Sequence, residues 1–154
     1  MKIRLHKKSG RNQIICCRPD GTTDISDIGP NLPFHDIAHY IVESELGLKN
    51  GFYGNISQGY SVAQLSDKKI IKTLPVESTV AEIVTRALQS LHTGACDPVQ
   101  FYELINSECS VWNIRYPLSL DNEQLNKMLT KYRGHIEKWN ELGEGEYLEL
   151  NWAK

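Results

Sequence analysis

Apolar positions recur with a period of two near the ends of the chain and with a helical period between them. Ile3 and Leu5 alternate with Lys2, Arg4 and His6, Ser9-Gly10-Arg11-Asn12 supplies a turn, and Gln13 to Arg18 is rich in β-formers. Residues 1–28 therefore open as a hairpin. Arg18-Pro19-Asp20-Gly21-Thr22 reads as a tight turn, with proline presetting φ and glycine accepting a positive one. Thr22 to Ile28 runs back as a third strand, and Tyr147 to Trp152 is the remaining strand candidate.

Four stretches carry helical signals. Pro33 to Leu46 is entered through Asn31 as a cap and stopped by Gly47. Pro75 to Leu91 places Val76, Val80, Ile83, Val84, Ala87, Leu88 and Leu91 on one face, a core stripe. Asp97-Pro98 opens a third helix to about Glu108, cap and first-turn proline in order. Leu120-Asp121-x-x-Gln124-Leu125, a capping box with a hydrophobic staple, opens a fourth. Its apolar side is Leu125, Met128, Leu129, Tyr132, Ile136 and Trp139. Gly51 to Tyr60, rich in glycine and aromatics, reads as a loop with a short strand. The layout predicts one α+β domain over residues 1–154. Its small antiparallel sheet comes from the N-terminal hairpin and the C-terminal strand, packed with about four helices.

Composition narrows the function classes. The 154 residues are 40% hydrophobic and 23% charged, the make-up of a soluble globular protein. A net charge of −2 argues against nucleic acid as a partner. No apolar run approaches the roughly 18 residues of a membrane span, and no apolar segment follows the charged start. No secretory leader is expected, and the cytoplasm is the expected location. Cys16, Cys17, Cys96 and Cys109 form no C-x-x-C pair, and adjacent strand residues point to opposite faces. Four free thiols are expected. Residues 1–19 carry basic side chains without an acidic one, and Glu141, Glu144, Glu146 and Glu149 mirror them, so opposite charges are expected to meet across strands.

The segment with chemistry is Pro33-Phe34-His35-Asp36-Ile37-Ala38-His39-Tyr40-Ile41-Val42-Glu43. On a helix with His35 at the origin, His39 falls at about 40°, Glu43 at about 80° and Asp36 at about 100°. Two histidines four apart on one face can bring two imidazole nitrogens to one metal, as the helical H-E-x-x-H motif does with zinc. Asp36 stands where that motif has its general base, one methylene shorter. Glu43 has three possible parts: a third ligand, a group orienting His39, or a ligand to a second ion. His6, His92 and His135 are further ligand candidates. Phe52, Tyr53 and Tyr60 are candidates for lining a ligand pocket beside the histidines. Gly54-x-x-x-x-Gly59-Tyr60-Ser61 has phosphate-loop spacing but tyrosine where the lysine belongs, and no G-x-S-x-G is present.

In order along the chain, Arg18-Pro19-Asp20-Gly21-Thr22, His35-Asp36-x-x-His39-Tyr40-x-Val42-Glu43 and Gly51-Phe52-Tyr53-Gly54 resemble a family of small, largely uncharacterised bacterial proteins. In that family an R-P-D-G-[ST] turn precedes H-D-x-x-H-[FY]-x-V-E and G-F-x-G. The resemblance covers residues 18–60 and implies a site there without naming an activity. A second, partial resemblance is to the ubiquinone-biosynthesis family with H-D-x-x-H-x11-E, whose motif is associated with zinc. His35, Asp36 and His39 fit it, whereas Gly51 stands at the final acidic position, so neither that ligand nor a lipid-quinone role carries over.

Two expectations follow. One is a site for zinc or another divalent transition metal on His35, His39 and Glu43, with Asp36 assisting a metal-dependent hydrolase. The other is a non-catalytic module that uses the His/Asp/Glu face and the Gly-aromatic segment to bind a small molecule or a protein.

Overall fold

In the computed structural model, which describes residues 1–153, the amino-terminal strands β1 (Lys2–His6), β2 (Asn12–Cys17) and β3 (Thr23–Ile28) pair with β4 (Tyr147–Asn151). The sheet is antiparallel throughout, in the order β3-β2-β1-β4. Its alternation sends Ile3, Leu5, Ile14, Cys16, Leu148 and Leu150 to one buried face, with Ile3 opposite Cys16 and Leu150, and Leu5 opposite Ile14 and Leu148. On the outer face Arg4 stands opposite Glu149, its Nε donating to the carboxylate at 2.9 Å, with Lys2 at 3.6 Å. The expected charge match across strands is present. All four cysteines are free thiols, and burial pushes the Cys16 thiol up to about 12.

Four long helices make up much of the rest of the chain: α1 (Leu32–Leu46), α5 (Val76–Thr93), α6 (Pro98–Val111) and α7 (Asn122–Glu141); α1 packs on α5 and α7, α6 packs on α5, and α7 meets β4. Gly47 and Gly94 end α1 and α5 in the left-handed conformation that glycine adopts without a Cβ penalty. Asp97 and Gln100 close a reciprocal capping box on α6, and Asp121 accepts from Gln124 N–H at the start of α7. Asn31 occupies the cap position of α1 but makes no side-chain cap bond, because its own backbone is already helical, with φ −99° and ψ −9°. No helix among the described residues is long and apolar enough to cross a membrane.

Between α1 and α5 lie three short helices that the sequence pattern does not announce: α2 (Phe52–Ser57), α3 (Val62–Leu65) and α4 (Lys68–Ile71). The expected loop and short strand over Gly51–Tyr60 is thus replaced by a helical turn and a half. Arg18 anchors its carboxyl end. Its guanidinium donates from Nε to Ile56 O at 2.6 Å and from Nη2 to Tyr60 O at 2.7 Å, and from Nη1 to Thr22 Oγ1 at 3.2 Å. The fork thereby joins the β2–β3 turn to α2.

Lysine offers a point charge in place of the planar fork and cannot span both carbonyls. Arg18→Lys is expected to lower stability by about 2 kcal/mol, read as a lower urea midpoint at unchanged m-value.

Candidate metal centre

Helix α1 packs on both α5 and α7, so its polar face is buried as well as its apolar one. Asp36, His39 and Glu43 are each no more than 5% exposed. Burying charge costs free energy unless each group finds a partner, and the partners define the site.

Glu43 is wholly buried. Its carboxylate accepts from the backbone N–H groups of Phe52 at 2.7 Å, Tyr53 at 3.1 Å and Gly54 at 3.2 Å. It also accepts from His39 Nδ1 at 3.1 Å. These N–H groups open α2, where helical bonding leaves donors unpaired. The approach requires glycine twice. A Cβ at Gly51 would lie 2.2 Å from the Glu43 carboxyl carbon, and one at Gly54 would lie 2.1 Å from the Lys49 carbonyl oxygen.

With Nδ1–H given to Glu43, His39 presents Nε2 on its other side. There it meets His35 Nε2 at 3.1 Å and Glu82 Oε2 at 3.0 Å, and His35 Nε2 stands 3.5 Å from the same oxygen. Nδ1 of His35 is in turn 2.9 Å from Gln89 Oε1, an acceptor that holds the proton on Nδ1. Both imidazoles are thus oriented with their outer nitrogens occupied and their Nε2 atoms converging. Metal-bound histidines are held this way. Around an ion with bonds of about 2.0–2.1 Å, tetrahedral ligand atoms sit about 3.3 Å apart. The triangle of 3.0, 3.1 and 3.5 Å brackets that edge, and these three groups could hold one metal ion.

No family model, curated protein or solved structure matches the chain. Its own geometry carries the reading.

Of the residues expected to bind metal, His35 and His39 come together and Glu43 does not join them. Its oxygens are committed to three backbone donors and to the far nitrogen of His39, the orienting part among those open to it. The third group is Glu82 of α5, 43 residues from His39. Position 82 lies on one helical face with Thr85 and Gln89, a polar stripe beside the core stripe, and Thr85 is fully buried. That stripe was the available signal. Nor do the other histidines enter the cluster: His6 lies tilted against Tyr147 and His92 edge-to-face with Tyr132, and His135 Nδ1 bonds to Lys131 O. Of the three aromatic candidates, Phe52 lines the adjoining cavity together with Asp36. Tyr53 is fully buried in the core, edge-to-face with Phe52 and tilted against Trp152. Tyr60 lies apart, its carbonyl held by Arg18.

The electrostatics follow from burial. Burial disfavours the His39 cation, but hydrogen bonds to Glu43 and Glu82 and the charges of both carboxylates outweigh it and raise its pKa to about 9. Burial opposes ionisation of Glu82 too, yet bonds to His35 and His39 hold its carboxyl well below the usual range. Burial pushes Asp36 up to about 6 against the pull of the two histidines, and its Oδ2 has no hydrogen-bond partner.

For both Asp36 and His39 the folded pKa lies above the unfolded one, so the stability each contributes is complete below its unfolded value and is lost as pH rises through the folded value. Asp36 acts between about pH 4 and 6, and His39 between about pH 6.5 and 9. The melting temperature of metal-free protein should fall across both windows. Asp36→Asn should flatten the lower one and raise stability above pH 6 by about 3 kcal/mol, leaving stability below pH 4 unchanged. Thermal melts from pH 3.5 to 9.5 measure this.

Proposed function

We propose that the protein binds one divalent transition metal ion, zinc foremost, through His35 Nε2, His39 Nε2 and Glu82, and uses it in hydrolysis of a small molecule. The observation that carries this reading is the convergence of two Nε2 atoms and a carboxylate oxygen while both Nδ1 atoms are taken by Glu43 and Gln89. A buried histidine kept for packing alone needs no such double bracing.

Three protein ligands are the set of catalytic zinc sites, which leave a fourth position for water or substrate. Here the cluster opens onto a cavity of about 480 Å³ that His35, His39 and Glu82 line together with Asp36. An ion held there would bring the pKa of a bound water near neutrality. Asp36 suits the proton work: it is among the residues lining the same cavity, and a pKa of about 6 lets it accept a proton near neutral pH and return it. Glu43 and Gln89 position the imidazoles without touching the ion. The unpaired cysteines favour a reducing compartment, and we read the cytoplasm as the setting.

Elemental analysis of untagged protein purified without chelator should find about one equivalent of metal, absent from His35→Ala/His39→Ala and reduced in Glu82→Gln. Zinc at a hundred times its dissociation constant should stabilise the wild type by about 2.7 kcal/mol. Glu43→Gln, which removes the charge behind His39, should weaken binding about 10- to 100-fold. Metal-free protein with no uptake and an unshifted melting temperature on adding zinc would overturn the proposal. The cluster would then be a proton-sharing network on a binding face.

A further inference from the structure

The cavity beside the cluster is uneven in its chemistry. Its walls are mostly apolar: Ile28 of β3, Leu32 of α1, Phe52 of α2, and Leu65, Ile71 and Leu74 from the stretch that holds α3 and α4. The serine and asparagine side chains in these walls are spent on the backbone. Ser66 Oγ donates to Val62 O at 3.1 Å and Ser78 Oγ to Asn50 O. The Asn55 amide donates to Asn50 O and Gly51 O. At the histidine end, by contrast, the walls are polar: His35, Asp36, His39 and Glu82 line the same space. No lysine or arginine is among the described residues that line the cavity, and Asp36 and Glu82 are acidic.

The wall formed by α3 and α4 is lightly held. Helix α3 packs on β3 and α4 packs chiefly on α3, and no residue of α4 is buried. Ile71 and Leu32 remain 45% exposed. Large apolar side chains kept in contact with water around a concavity mark a ligand site. The absence of lysine and arginine disfavours strongly anionic groups along the apolar walls, and the serine and asparagine donors already given to the backbone disfavour a polyhydroxylated ligand there, whose hydroxyls would lose water with little replacement.

We infer that the cavity seats an aliphatic chain of medium length bearing one uncharged oxygen-rich head, an acyl ester or amide, with the chain against Ile28, Leu65 and Ile71 and the carbonyl at the His35/His39/Glu82 end. The placement of the head rests on the metal reading above. The seat for the chain does not.

A series of alkyl hydroxamates from two to eight carbons, titrated calorimetrically into zinc-loaded protein, tests the chain. Affinity should climb roughly threefold to fourfold per buried methylene and then level off as the cavity fills. Ile71→Asn, at an exposed position, should keep the fold and zinc binding while flattening the climb. In parallel, 1-heptanol added to metal-free protein should shift the methyl resonances of Ile28, Leu65 and Ile71 in carbon-13 spectra. Zinc binding with an affinity flat along the series and no methyl shifts would overturn the inference and leave the metal site standing. Methyl shifts without any zinc uptake would keep the chain seat and remove the metal reading. Neither zinc uptake nor methyl shifts would remove both.

Discussion

The carboxylate of Glu43 is the constraint on which the rest of the site depends. It is a fully buried anion, and such a charge is tolerable only when its lone pairs are met by donors. Three of these are backbone N–H groups at the start of α2 and the fourth is His39 Nδ1. One group therefore serves two ends. It nucleates a six-residue helix whose own sequence, Phe52-Tyr53-Gly54-Asn55-Ile56-Ser57, has little intrinsic propensity. It also fixes the tautomer and tilt of His39, whose other nitrogen meets His35 and Glu82. Gly51 and Gly54 are the steric conditions for that arrangement, and Arg18 holds the other end of α2. Glu43 is thus bonded directly to Phe52, Tyr53 and Gly54, and Arg18 reaches the far end of the same helix at Ile56 and Tyr60, although these segments are scattered along the chain.

This accounts for what could and could not be read from the sequence. The sheet was legible because alternation at Ile3, Leu5, Ile14 and Cys16 is a local signal with a period of two, and the end of α1 was legible because Gly47 marks it chemically. The pair His35 and His39 was legible from spacing within one helix. Glu82 was not, since the ligand that completes the triangle comes from another helix and its distance in sequence reflects only the length of the intervening segment. Helix α2 was not, because its stability comes from a carboxylate on α1 rather than from its own residues. Helices α3 and α4, four residues each, are too short for periodicity to register.

The energetics of α1 argue that function shaped it. A helix between a sheet and two other helices could present apolar side chains on every face, and buried ionic groups are replaceable by packed hydrophobes without loss of stability. Instead α1 places Asp36, His39 and Glu43 inside, and Asp36 Oδ2 goes without a partner. Departures from the rule that buried polar groups are satisfied cluster at functional sites.

Charge balance shows what the site demands. Glu43 and Glu82 face His39 from opposite sides, and Asp36 lies close enough to both histidines to feel their charge. With neutral imidazoles the buried carboxylate of Glu43 and the half-exposed one of Glu82 would face His39 without a compensating cation, a costly state for the buried groups. A cation resolves it. In the metal-free protein that cation is a proton on His39, which is why its pKa rises to about 9 in spite of burial. A divalent ion at the Nε2 side supplies the same compensation with more charge, and it leaves the Nδ1–H bond to Glu43 intact. A metal ion held there would compete with that proton for one position, so its affinity would rise with pH until His39 no longer holds its proton.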